Sequence, residues 1–214
     1  MKPKALLLLP GAGSNRNHPT SVAIEEAVAP LPVSRAEFPY QRAGRRGPDR
    51  PPILLQTIHE EAAALVASAG IKPAALALGG RSMGGRICSM AVAGGLPAAA
   101  LVLMAYPLHP PGQPGKLRIE HLPDIHVPTL FVCGTKDPFG TPAELEHHAA
   151  AIPGKVTMVW VDGATHDWKR RDPQIAAVVA AWLKGKQVPD VLPRADVRST
   201  AALGNAKPTQ RPKA

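Results

Sequence analysis

Three residues in this sequence combine types and positions that suit acyl transfer. Ser82 stands in "ALGGRSMGGRIC", with Gly80 and Gly84 two residues away on either side, directly after an apolar run. Asp137 stands in "FVCGTKDPFG" and His166 in "WVDGATHDW", each just past another apolar run. A serine hydroxyl is a poor nucleophile until a base removes its proton, and an imidazole serves best when a carboxylate orients its other nitrogen. The chain order serine, acid, base is the one expected when a G-x-S-x-G turn is served by later loops. With 19 glycines in 214 residues, such a match arises by accident in roughly one sequence in twenty. The surroundings of each residue must therefore decide.

The same chemistry needs hydrogen-bond donors for an oxyanion. The N–H of Met83 is one candidate, since it follows the serine. The second is expected from the glycine turn "LPGAGSNRNHP", with Ala12 as the individual donor. In "QRAGRRGPDR", Arg42, Arg45, Arg46 and Arg50 crowd one loop. Arg45 or Arg46 would clamp an anionic group of a substrate, unless the loop is simply a solvated basic surface. His18, Asn17 and Arg81 would line the cleft or hold their own loops by hydrogen bonds.

The rivals lack matching context. His109, His121 and His126 lie in or near a Pro-rich loop, and His147 and His148 are neighbours within a helical stretch. Asp162 is the second choice for the acid and Asp124 the third. Neither phosphate-loop pattern occurs in the glycine turn. Cys88 and Cys133 show no C-x-x-C spacing and read as small buried hydrophobes. No metal-ligand spacing stands out, and the chemistry calls for neither metal nor organic cofactor.

The elements that must position these residues follow from apolar periodicity. Runs at 5–9, 34–38, 74–78, 99–106, 129–134 and 155–161 read as about six strands, and most are apolar throughout rather than alternating. Helical patterns separate them: "ILLQTIHEEAAALVASAG" after Pro51 and Pro52, the segment following Ser82 as far as Gly94–Gly95, residues 142–151, and "PQIAAVVAAWLKG". Continuously apolar strands alternating with helices predict a mostly parallel sheet covered on both faces, hence a single α/β domain over residues 1–185. In such sheets chemistry gathers at the carboxyl ends of strands, where Ser82, Asp137 and His166 all fall.

The net charge of +9 raises the question of nucleic acid, but its distribution argues against a specific site. Residues 186–214 hold six Lys/Arg and two Asp in a Pro-rich stretch without helical or strand period, which is expected to be a disordered basic tail. The opening "MKPKALLLLPGAG" has an apolar run of five residues, Ala5 to Leu9, too short for a signal peptide or a membrane span. The expectation is a cytoplasmic protein acting on a small-molecule ester, with no membrane partner. The sequence leaves the oligomeric state open.

Taken together, "GAGSNRNHP", "FPYQRAGRRGPDRPP", "GGRSMGGR", "GTKDPFG" and "GATHDW" resemble the α/β-hydrolase superfamily over roughly residues 4–184. Within it they are similar to small bacterial predicted hydrolases related to testis-expressed protein thirty, and distantly to dienelactone hydrolases. The resemblance implies a serine hydrolase fold lacking the first two strands of the full superfamily sheet, with no large lid. It carries nucleophile, acid and base onto Ser82, Asp137 and His166. Where many relatives have His-Gly after the first strand, this chain has Pro10–Gly11. Two functional readings follow: a serine esterase of small esters, or a non-catalytic scaffold on the same fold.

Overall fold

In a computed structural model that describes residues 2–194, seven strands form one sheet in the order β2-β1-β3-β4-β5-β6-β7. The strands are β1 (Ala5–Leu9), β2 (Val33–Arg35), β3 (Leu76–Arg81), β4 (Ala100–Met104), β5 (Thr129–Gly134), β6 (Val156–Val161) and β7 (Val191–Leu192). Every neighbouring pair is parallel. The helices are α1 (Pro19–Val28), the single turn α2 (Pro39–Arg42), α3 (Pro51–Ala69), α4 (Met83–Ala93), α5 (Pro142–Ala149) and α6 (Asp172–Leu183).

The apolar composition of β1 explains this arrangement. Ala5, Leu7 and Leu9 point into one core, shared with residues of α3, α4 and α5. Leu6 and Leu8 point into the other, shared with α1 and α6. Alternate side chains of a strand face opposite sides. A strand buried on both faces therefore has to be apolar at every position, and each fully buried leucine contributes about 1.5–3 kcal/mol.

Beyond shifts at the ends of β2 and β4 and the added turn α2, three features differ from the sequence-based expectation. The helix α1 was not anticipated. Its buried positions are Thr20, Ser21, Ile24 and Val28, so only two strongly apolar residues mark its inner face, and it is stabilised by packing on α6. The strand β3 runs three residues further, through Gly79, Gly80 and Arg81, because its glycines pack directly against neighbouring backbone.

The third difference corrects the expected tail. Within 186–214, residues Val191 and Leu192 form β7, in register with Trp160 and Val161 of β6. The N–H groups of Trp160 and Asp162 donate to the carbonyls of Asp190 and Leu192 at 2.8 and 3.0 Å. Arg171 donates to the carbonyl of Pro193, and Arg194 pairs with Asp162. The rest of the expected tail, 195–214, lies outside the described residues. Among the described residues no helix is long and apolar enough to cross a membrane.

Candidate active site

The carboxyl edge of the sheet is where β3, β5 and β6 end, and the turns leaving them bring Ser82, Asp137 and His166 together. Ser82 sits between β3 and α4 with φ 50° and ψ −119°, a left-handed conformation that costs a non-glycine residue about 1–3 kcal/mol. The bend is held by the hydrogen bond from its N–H to the Met104 carbonyl, 2.7 Å. It also needs glycine nearby. A Cβ on Gly84 would lie 2.5 Å from the carbonyl oxygens of Leu9 and Pro10, and one on Gly80 would meet the Gly84 carbonyl carbon at 2.8 Å. The glycines around the serine thus permit the close approach of β1, β3 and α4 that a sharp strand-to-helix turn requires.

His166 lies in the loop between β6 and α6. Its Nε2 is 2.8 Å from Ser82 Oγ, and its Nδ1 is 2.8 and 3.1 Å from the two carboxylate oxygens of Asp137. A carboxylate only accepts, so this network assigns the proton of the neutral ring to Nδ1 and leaves Nε2 to accept from the serine. Asp137 also accepts from the N–H of Phe139, 2.9 Å, and its side chain is 2% exposed, against 20% for His166. The Phe139 ring stacks on the imidazole with centroids 4.0 Å apart. The loops carrying acid and base are linked to each other, Lys136 N–H donating to Ala164 O and Gly163 N–H to Thr135 Oγ1, both at 2.8 Å. Such an arrangement can move a proton from serine to imidazole while a buried carboxylate stabilises the cation that forms.

Met83 follows the serine directly, and the turn that carries Ala12 comes close to it, since a Cβ on Gly11 would lie 3.5 Å from Ser82 Cβ. Met83 is the first residue of α4, where N–H groups have no intrahelical acceptor and the helix dipole favours negative charge. The Ala12 turn is closed by Ser14 N–H to Gly11 O, 3.2 Å. Two side chains from the segment after β2 then take its carbonyls. Tyr40 donates its hydroxyl to Ala12 O, 2.8 Å, and Gln41 donates its amide to Gly11 O and Ser14 O at 2.9 and 2.8 Å. Burial, then the Asp49 carboxylate, pushes the Tyr40 phenol up to about 12, so that it remains a donor even in alkaline solution. With three carbonyls fixed, the peptide planes of the turn are set, and the Ala12 N–H has no acceptor among the described residues. Tyr40 and Gln41 were missed from sequence, although "FPYQR" holds the signal: two polar tips just after a strand ended by Pro39.

The expected substrate-binding residues are placed differently. Arg45 turns its guanidinium to Asp49 Oδ1, 2.7 Å, and Arg46 is exposed. Neither forms a hydrogen bond or ion pair with Ser82, Asp137 or His166. His18 caps α1, its Nδ1 accepting from Thr20 N–H at 3.3 Å. Its pKa is held below the usual imidazole range by burial and then by the charge of Arg81. Among the rival acids, Asp162 pairs with Arg194 at 3.2 Å and Asp124 lies in a 3₁₀ turn, Leu122–Asp124.

A sequence model of a family described as an alpha/beta hydrolase domain matches residues 2–180. The chain belongs to the alpha/beta hydrolase family. Solved structures share its fold. Est1E from Butyrivibrio proteoclasticus superposes with a TM-score of 0.69 at 13% identity, covering 86% of this hydrolase and 89% of that chain. A dienelactone hydrolase from Anabaena variabilis gives 0.66 at 18% identity, covering 86% and 87%. A hydrolase of the alpha/beta superfamily from Xanthomonas campestris pv. campestris gives 0.64 at 22%, covering 85% and 99%. A cleft of about 970 Å³ opens at the opposite edge of the hydrolase sheet, between Lys2, Lys155, Trp160, Trp182 and Lys186. It lies at the amino ends of the strands, away from Ser82. The hydrogen-bonded serine, rather than this cleft, marks the candidate active site.

Proposed function

We propose that this hydrolase is a serine esterase of small, soluble esters that works through an acyl-enzyme. Ser82 Oγ attacks the ester carbonyl carbon as its proton passes to His166 Nε2. Asp137, accepting from Nδ1–H, stabilises the imidazolium. The N–H groups of Met83 and Ala12 receive the negative charge on the carbonyl oxygen. His166 then gives its proton to the departing alkoxide, and the acyl group remains on Ser82. A water that loses its proton to Nε2 attacks that acyl-enzyme, the acid leaves, and the serine recovers its proton.

One observation carries the reading: an unbroken chain of hydrogen bonds from a strained serine through His166 Nε2 and Nδ1 to a buried carboxylate, each link at 2.8 Å. Preference for esters draws support from the neighbours. A dienelactone hydrolase shares the fold, and Est1E has been solved with ferulic acid bound. The expected test outcome is covalent labelling of wild type by a fluorophosphonate probe at Ser82, together with hydrolysis of p-nitrophenyl acetate. A wild-type protein that takes no label would leave the fold serving as a binding scaffold.

A further inference from the structure

Arg81 precedes the serine in the chain, and its charge is used by nothing in the mechanism above. Its Nη2 donates to the main-chain carbonyl of His166, 2.6 Å away and 85 residues distant in sequence. Its guanidinium carbon lies 5.5 Å from the centroid of Trp168, two residues beyond the base. Trp168 is itself buried and fastened to α1, its Nε1–H donating to Thr20 Oγ1 at 3.2 Å. The Arg81 Nε is buried without a hydrogen-bond partner, and among the described residues the guanidinium forms no ion pair within 4.0 Å. Burial lowers its pKa from the usual arginine value, and Asp167, Asp137 and Asp172 oppose that shift from a distance. A partly buried guanidinium without a carboxylate partner among the described residues is costly to keep when its Nε is withdrawn from water. Packing alone would be served as well by methionine or leucine.

We propose that Arg81 is a positioning residue for the base: it ties the His166 backbone to the strand that carries Ser82, and so sets the distance between them. This rests on reading Ser82 and His166 as nucleophile and base. The loop between β6 and α6 has no regular structure of its own around His166, and Lys169 and Arg170 within it have positive φ. Asp137 and Phe139, both from the loop after β5, hold the imidazole ring. They leave the main chain of His166 to be fixed by something else. A side chain attached one residue from the nucleophile is the shortest ruler between the two. It reaches a carbonyl, an acceptor that every residue has, so the contact leaves no sequence signal at position 166. The planar fork and permanent charge of arginine suit a hydrogen bond to a main-chain carbonyl combined with packing against an indole.

The test compares wild type, Arg81→Met, Arg81→Lys and Arg81→Ala, with p-nitrophenyl acetate as substrate. Labelling of wild type by the fluorophosphonate is scored first, so that failure of the esterase reading is seen separately. In Arg81→Met, kcat should fall on the order of 10²-fold, the usual consequence of misplacing a reacting group by about 1 Å, while KM stays within threefold. The downfield proton resonance of His166 Nδ1–H should broaden or vanish, and added methylguanidinium should restore part of kcat in Arg81→Ala. If Arg81→Met does not fold, Arg81→Lys decides: a loss of about tenfold in kcat at unchanged KM supports the proposal. A kcat within threefold of wild type in the folded variants overturns it. So does a rise in KM with kcat intact, which would make Arg81 a substrate-binding group.

Discussion

Ser82 and Ser89 stand seven residues apart, at the start and in the middle of one helical segment, and each meets a histidine at 2.8 Å. Distance does not separate the two pairs. Direction does. Ser89 Oγ donates to the Arg86 carbonyl, 2.7 Å, so His121 Nε2 must donate to the serine. Ser82 donates to an Nε2 whose ring partner is Asp137. Among the described residues no carboxylate bonds to His121, and its pKa falls to about 4, through burial first and the nearby Arg86 second. Ser89 is fully buried inside regular helix, whereas Ser82 is presented on a strained turn at the sheet edge. A serine–histidine contact becomes a candidate for chemistry only when the ring can accept, an acid holds its far side, and a substrate can reach the oxygen.

The largest effect that would break this comparison is loss of the nucleophile. Ser82→Ala should abolish fluorophosphonate labelling and ester hydrolysis, and Ser89→Ala should leave both intact. Mass spectrometry of the labelled peptide distinguishes the two sites, and label on Ser89 would overturn the distinction drawn above. Next in size is the acid. Asp137→Asn should lower kcat by roughly 10³–10⁴, since an amide cannot hold the ring in the accepting tautomer. Asp162→Asn and Asp124→Asn should stay within threefold, and a reversed ranking would put the acid elsewhere.

Smaller effects sharpen the structural half. Ser89→Ala strands the His121 donor in a partly buried position, so urea unfolding should show a loss of about 1–3 kcal/mol while kcat changes less than twofold. The His121 pKa lies below its unfolded value of 6.5, at about 4. Between those values the unfolded chain binds a proton that the folded one declines. Stability from this residue is therefore complete above pH 6.5 and drains away as the pH falls toward 4. His121→Gln should flatten the decline of Tm across that window; an unchanged slope would assign the acid sensitivity to other groups. The smallest effect is expected at Arg45. Because Asp49 already holds its guanidinium, Arg45→Ala should alter kcat/KM by less than threefold, equally for a carboxylate-bearing ester and its neutral isostere. A selective loss for the charged ester would restore the anion clamp.

The sequence by itself determined the α/β class, the parallel sheet, and the three residues that meet at its carboxyl edge. These are local matters: strands buried on both faces must be apolar throughout, and the turn at Ser82 needs Gly80 and Gly84 because backbone passes within contact of each. The helix α1 escaped notice because only Ile24 and Val28 mark its apolar face, so its stability comes from α6 rather than from its own pattern. The short strand β7 escaped because two residues have no period, and what orders them is pairing with Trp160 and Val161. What Tyr40, Gln41 and Arg81 take hold of was beyond local reading for a related reason. Each acts on a main-chain carbonyl 28, 30 or 85 residues away, and a carbonyl looks the same in every residue. Tertiary structure alone decided which carbonyls they reach. It also set which way each serine points its proton, because that depends on what else lies within 3 Å of both partners.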